Sequence, residues 1–494
     1  MDQSDDTSMG EGAPQDSKKN GLIAVNNLNY VLEPDLSVAV NITHKDQAFQ
    51  NTAYTVTNTP VRSICLFNTG ADYIDMQNSQ LTFDLVLRTV GAQADVNNHA
   101  THATFGPGGS ALNLISRLTI ASRSGDELVR ITQFNQWAAQ EMPEEYDESW
   151  YNTVGSAFYA RPAKPDGKEW WDVPAIQKNA DINDPAWIPL TTANSSTVPV
   201  DTRVHISIPC YLLGGLFKYK RLLPSMLCSG LRVEMEFESS DRAFRLYDST
   251  APNAWPSIDP NMPGLYNYEI QNPQFRLRSV QLTDSLQRAL NEQSAVNGLE
   301  IVYCDYETTT AVIPPGGNSF NVEVRKACSR ALRASARTRS YATSGVFPGV
   351  LGNYRELAFD SFTSNNVGAG QANTYQWQLG SLYFPHQRLA HRANPSHALL
   401  WHLTQWNGVP TGDTSQPGTI NRRNFDGNAQ TLLVSLERSS LFALSGVPIN
   451  NSRVLALQYL GDAANAANVQ TLVTCYLKYV KLARVFLLNI EVEQ

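Results

Sequence analysis

The chain has little charge and few of the groups on which enzyme chemistry is usually built. Only 17% of its 494 residues are Asp, Glu, Lys or Arg, and only 8 are His. Its six cysteines, Cys65, Cys210, Cys228, Cys304, Cys328 and Cys475, form no CxxC pair. A structural zinc site needs close ligand pairs, so none is expected. There is no GxxxxGK[ST], no GxGxxG after a strand, no HExxH and no GxSxG. Phosphate-loop, dinucleotide, zincin and serine-hydrolase chemistry therefore have no foothold, and no cofactor is expected. No apolar run reaches the roughly 18 residues of a membrane-spanning helix. The opening "MDQSDDTSMGEGAPQDSKKN" lacks the apolar core of a signal peptide. The expectation is a chain made in the cytosol or nucleus, with buried free thiols and with Asn41-Ile42-Thr43 and Asn194-Ser195-Ser196 unglycosylated. A formal net charge of -8 argues against general or sequence-specific nucleic-acid binding.

What the chain has is strand pattern. Hydrophobic residues make up 42%, enough for a full core. At roughly 100–200 residues per domain, the length fits two to four domains or two large β domains. Residues 1–20 are polar and read as a mobile arm, continuing to residue 36. Alternation of apolar and polar residues then recurs. It is clean at Leu81, Phe83, Leu85 and Leu87, at Leu118 and Ile120, and at Val204, Ile206 and Ile208. The second half repeats it at Leu432, Val434 and Leu436, at Val454 and Ala456, and at Phe486, Leu488, Ile490 and Val492. In "LRVEMEFE" (231–238), Leu231, Val233, Met235 and Phe237 oppose Arg232, Glu234, Glu236 and Glu238. That is a half-buried strand. The preceding segment, 211–230, reads as a long connection that must pack on the sheet. Many strands with Gly/Pro/Asn-rich connections and no βαβ rhythm predict an all-β chain of antiparallel sandwiches.

Three helices are expected. One spans 127–140, with Ile131, Phe134 and Ala138 on one stripe. Another spans 284–293 at mid-chain. The third spans 394–408, capped by Asn394 and Pro395, stopped by Gly408 and striped by Leu399, Leu403 and Trp406. Ile131-Thr132-Gln133-Phe134-Asn135 echoes Leu403-Thr404-Gln405-Trp406-Asn407 at an offset of 272, a hint of two equivalent halves joined around 283–295. Irregular insertions are expected at 141–200 and 340–374. Loops of that length tend to be functional or interfacial. Trp150, Trp170, Trp171 and Trp187 are costly to leave in water, which makes the first insertion a candidate contact.

Four features could carry chemistry. "GPGGS" (106–110) lacks the lysine of a phosphate loop and reads as a turn. His386, His391, His397 and His402 lie close together, but 397 and 402 stand about 140° apart around a helix, so they read as surface or interface residues rather than metal ligands. Glu141, Glu144, Glu145, Asp147 and Glu148 could supply a glycosidase pair, but read first as a solvated loop. "RKACSRALRASARTRS" (325–340), if helical, places Lys326, Arg330, Arg333 and Arg337 on one face. That face would be either a solvated basic segment or a contact with a neighbouring subunit, a protein partner fitting the charge balance better than nucleic acid. Arg330, Arg333 and Arg337 join the tryptophans as candidate interface residues.

At "SALNLISRLTIASRSGDELVRITQFNQW" (110–137) and "YLLGGLFKYKRLLPSMLCSGLRVEMEFES" (211–239), the chain resembles double jelly-roll major capsid proteins of the polinton-like virus and virophage type. "NPQFRLRSVQLTDSLQRALNEQSAVNGLEIVY" (272–303) is similar to the junction between their two rolls, and "YLKYVKLARVFLLNIEVEQ" to their closing strands. The resemblance implies two tandem eight-stranded antiparallel jelly rolls, 37–283 and 284–494. It implies a homotrimeric, pseudo-hexagonal capsomer that contacts neighbouring capsomers, penton and minor capsid proteins in the icosahedral virion of a double-stranded DNA virus. A β-sandwich carbohydrate-active enzyme or glycan-binding attachment protein is the alternative.

Overall fold

A computed structural model describes residues 39–57, 59–89, 102–105, 110–160, 188–190, 200–247, 265–342, 374–390, 395–406, 431–437, 446–460, 469–486 and 490–493. Eight strands of the first half form the main sandwich: β1 (Ala39–Ala48), β2 (Val61–Leu66), β3 (Tyr73–Thr89), β4 (Ile115–Ala121), β5 (Glu127–Thr132), β6 (Val200–Pro209), β7 (Arg232–Phe237) and β8 (Leu265–Leu282). They pair in the orders β1-β8-β3-β6 and β2-β7-β4-β5, all antiparallel. The second half supplies β9 (Leu299–Ile313), β10 (Ser319–Val324), β11 (Cys328–Ala342), β12 (Thr374–Leu379), β13 (Leu382–Ala390), β14 (Leu432–Ser435), β15 (Leu455–Leu460) and β16 (Val469–Val485). Their orders are β9-β16-β11-β14 and β10-β15-β12-β13. Adding eight to each label of the first half reproduces the second. Two facing four-stranded sheets in this permuted order are a jelly roll, and the chain contains it twice.

Short strands extend these sheets. Ala53–Val56 pairs with β8, Val447–Ile449 with β11 and Ile490–Glu493 with β16. A separate small sheet of His102–Phe105, Ile188–Pro189 and Phe244–Tyr247 packs Ala103, Phe105, Ile188 and Phe244 into the first roll's core.

Alternation produces the cores. Val233, Met235 and Phe237 of β7 are buried, while Glu234 and Glu236 turn outward to Arg62 and Arg117. In the second roll Trp377, Leu457 and Val322 are buried from three adjacent strands. The connection before β7 packs as expected, with Leu212, Leu213, Leu216, Phe217, Leu223 and Leu227 buried. Gly214 and Gly215 allow its close approach. Both have positive φ, and a Cβ would stand 2.6 Å from the Trp137 ring and 2.6 Å from a Val129 methyl, respectively.

Three local expectations are corrected. Residues 127–132 are strand β5, and helix α1 begins only at Phe134 and runs to Glu145, after Gln133 in a left-handed conformation. Helical spacing ran across that junction by chance. Residues 328–342 are strand β11, not a basic helix: Ala334 and Ala336 face the core and Arg333, Ser335 and Arg337 the other side, a period of two. The shared phrase straddles the start of α1 in one half but sits at the end of helix α3 (Pro395–Trp406) in the other, so its residues are not equivalent. The helices themselves are, since each follows the fifth strand of its roll. Helix α2 (Asp284–Val296) lies between the rolls, where the sequence calls for a helix. Asn394 and Gly408, its companion's expected cap and stop, lie outside the described residues, as do 106–109, most of 161–199 and 343–373. No described helix is long and apolar enough to cross a membrane.

Candidate functional site

Among the described residues, buried charge is concentrated where the two rolls meet, at Glu141, Glu144, Asp305, Arg333 and Lys481. Helix α1 is buried from Phe134 to Glu144: it lies on the first roll, where Asn135 donates to Glu238 at 3.0 Å, and it also bonds to the second roll. The Gln133 carbonyl accepts from the Tyr476 hydroxyl at 2.9 Å, and Gln136 Oε1 from Thr474 at 3.1 Å. One turn on, the Trp137 ring meets Tyr306 edge-on at 5.0 Å. Further along, Glu141 accepts from Arg333 of β11, and Glu144 Oε1 lies 2.6 Å from Nε2 of His402 on α3. Spacings of three and four residues bring these side chains onto one side of α1.

Strand β5 adds backbone acceptors. The Leu128 carbonyl accepts from Tyr303 and from Lys481 Nζ, each at 2.8 Å, and Glu127 O accepts from Lys481 at 3.1 Å. Lys481 also donates to Asp305 Oδ2 at 3.1 Å, an atom that accepts from Tyr479 as well. Both members of this ion pair are almost wholly buried, and burial raises the Asp305 pKa even against the pull of Lys481. Apolar residues seal the contact. Leu299, Ile301, Tyr476, Ala483 and Val485 pack into the first roll's core, while the second roll keeps a core of its own.

These positions correct the reading of the acidic stretch as a solvated loop. Glu141 and Glu144 are 3% and 4% exposed, and Glu145 pairs with Lys218. Burial pushes the Glu145 carboxyl up, but Lys218 and Lys478 outweigh it and hold the pKa low. Glu141 and Glu145 thus each anchor a cation, and Glu144 a ring nitrogen of His402, instead of facing a substrate cleft. Asp147 caps the short helix Glu148–Asn152 by accepting from the Trp150 amide. His402 is likewise a seam residue, only 1% exposed, whereas His386 is at the surface. Among the described residues, no group of three His, Cys, Asp or Glu could hold a metal ion. The six cysteines are free; five are buried, and Cys304 is half-buried, not buried as expected.

The interface candidates divide. Arg333 and Arg337 bond within the chain, to Glu141 and to Thr431 Oγ1, and Arg330 is half-buried. Trp150 is half-buried, stacked on Tyr146 at 4.0 Å, and donates to the Tyr211 hydroxyl. Trp170, Trp171 and Trp187 lie outside the described residues. Lys481, Lys478 and Asp305 escaped notice in the sequence. The available signal was lysine recurring inside the apolar closing run "YLKYVKLARV".

Lys478 offers a pH test of the seam. Burial lowers its pKa below 10.5, with Arg333 adding to the effect. The unfolded chain therefore holds this proton more tightly, so the charged lysine costs stability below its folded pKa, and the cost fades as pH rises to 10.5. Lys478→Met is expected to raise the urea midpoint at pH 7. That gain should shrink towards zero near pH 10.5.

No protein-family model and no curated protein sequence matches the chain. Solved structures do. A chain of the Sputnik virophage structure is similar at a TM-score of 0.56 and 10% identity, over 94% of this chain and 92% of that one. A chain of the PBCV-1 virus capsid gives 0.52 at 11% identity, over 94% and 99%. The mavirus major capsid protein gives 0.50 at 9% identity, over 100% and 97%. At these identities the likeness establishes architecture, and it agrees with the strand orders: the chain has the double jelly-roll fold.

Proposed function

We propose that this chain is a major capsid protein, three copies of which form a pseudo-hexagonal capsomer that tiles an icosahedral virion around double-stranded DNA. The observation that carries this reading is the repeated sheet order combined with a sealed seam. Two equivalent rolls held side by side as one unit give three copies six nearly equivalent building blocks. The solved structures with the same architecture include a virus capsid and a major capsid protein, structural rather than enzymatic proteins. Neighbouring capsomers, penton proteins and minor capsid proteins are the partners this role implies. We keep Trp150, Trp170, Trp171, Trp187 and Arg330 as candidate subunit contacts; an obligate interface of more than ~2,000 Å² would need such apolar area. The two units of the fold are assigned to 37–283 and 284–494.

Electron microscopy of the purified full chain at high concentration tests the proposal. Pseudo-hexagonal particles, sheets or closed shells are expected. A field of single, unassociated chains that cleave or bind polysaccharide would replace it with the carbohydrate reading.

A further inference from the structure

Two lysines enter the seam from β16, and their surroundings differ. Lys481 directs its ammonium at Glu127 O, Leu128 O and Asp305 Oδ2, one acceptor for each proton. Lys478 makes no hydrogen bond and no ion pair among the described residues. It is half-buried, so solvent reaches one side of it.

The groups around Lys478 are short of partners too. Tyr306, Lys478 and Arg333 stand opposite one another on β9, β16 and β11 and form one row across the sheet. Helix α1 crosses this row. Trp137 meets Tyr306 at one end, and Glu141, one turn later, takes the Arg333 guanidinium at the other through Oε1. Lys478 lies between the two ends. On either side of it, the Tyr306 hydroxyl and Glu141 Oε2 are buried and lack a hydrogen-bond partner among the described residues. Tyr306 and Glu141 are 2% and 3% exposed, and buried polar atoms are almost always paired. The Glu141 carboxylate acts electrostatically on both Lys478 and Tyr306, so the three groups are close neighbours.

The chemistry of the set selects the partner they share. Lys478 only donates, Glu141 Oε2 only accepts, and the Tyr306 hydroxyl does either. Lys478 and Arg333 repel a metal ion, and the carboxylate oxygen repels an anion. Water, which both donates and accepts, suits all three. We infer that the seam holds a bound water here, accepting from Lys478 Nζ and from the Tyr306 hydroxyl and donating to Glu141 Oε2. Three partners are usual for a buried water. This water links β9 and β16 of the second roll to α1 of the first and hydrates a charge held between them. The inference does not depend on the capsid reading.

Tyr306→Phe in the full chain tests it. Removing a buried hydroxyl that has no partner leaves stability unchanged or improves it, whereas removing one bound to water weakens the fold. Urea unfolding is expected to show the unfolding equilibrium constant raised about three- to tenfold. A constant unchanged or lowered overturns the inference. In a Lys478→Met background, which takes away another partner of the same water, Tyr306→Phe should have a smaller effect than in the natural chain; equal effects overturn the inference as well. A crystal structure that resolves water should place a peak about 2.7–3.2 Å from both Lys478 Nζ and Glu141 Oε2. A direct bond between Lys478 and Glu141, or an anomalous bromide peak at this point in crystals grown in bromide, would replace the water with an ion pair or an anion.

Discussion

Arg333→Met is expected to lower the unfolding free energy by about 3–5 kcal/mol, the cost of leaving a buried charge without its partner. Arg333 is 7% exposed and Glu141 3%, and the ion pair joins β11 of the second roll to α1 of the first. Burial works against the guanidinium, but Glu141 outweighs it and raises the Arg333 pKa, so the guanidinium keeps its charge. Removing the cation strands the carboxylate between two packed surfaces that admit little water. Replacing both members tells stranding apart from loss of attraction. Glu141→Leu combined with Arg333→Met should recover most of the loss, because two apolar side chains carry no desolvation cost. Urea unfolding of the two single variants and the double variant measures the coupling. If the double variant loses as much as the two singles added together, the seam is not held in this way.

Trp137→Ala should cost about as much, ~3–5 kcal/mol, through the cavity it leaves. Trp137 is 3% exposed, with Phe134 at 5.2 Å on its own helix and Tyr306 at 5.0 Å across the seam. Its ring also fills the space that a side chain at Gly214 would need. One residue thus fixes the helix, the connection beneath it and the neighbouring roll. Trp137→Phe should cost much less, because its indole N–H has no hydrogen-bond partner among the described residues and most of the ring volume is kept. The two variants should lose stability in both rolls together. Hydrogen exchange can read this roll by roll; an opening confined to the first roll would mean that the seam does not couple them.

Much of the fold was legible because strand alternation is a local signal. Val233, Met235 and Phe237 announce their face within one strand, and a helix expected over 284–293 is present as Asp284–Val296. The errors came where local patterns overlapped. Ile131 and Phe134 mimic a helical stripe only because β5 turns into α1 through Gln133. Arg330, Arg333 and Arg337 have helical spacing, yet the small residues Ala334 and Ala336 between them belong to a buried strand. The seam was not legible at all. Glu141 and Arg333 are 192 residues apart, and Glu144 and His402 are 258 apart. Such pairs are determined by how two finished rolls dock, and nothing near either residue records its partner. For that reason an acidic stretch that looked solvated proved to be the anchor between the rolls.

The most direct test of the capsid reading is the native mass of the purified full chain, by light scattering on a sizing column. The account predicts a species of three times 54.6 kDa, with larger assemblies at higher concentration. A single species of 54.6 kDa at every concentration would contradict it.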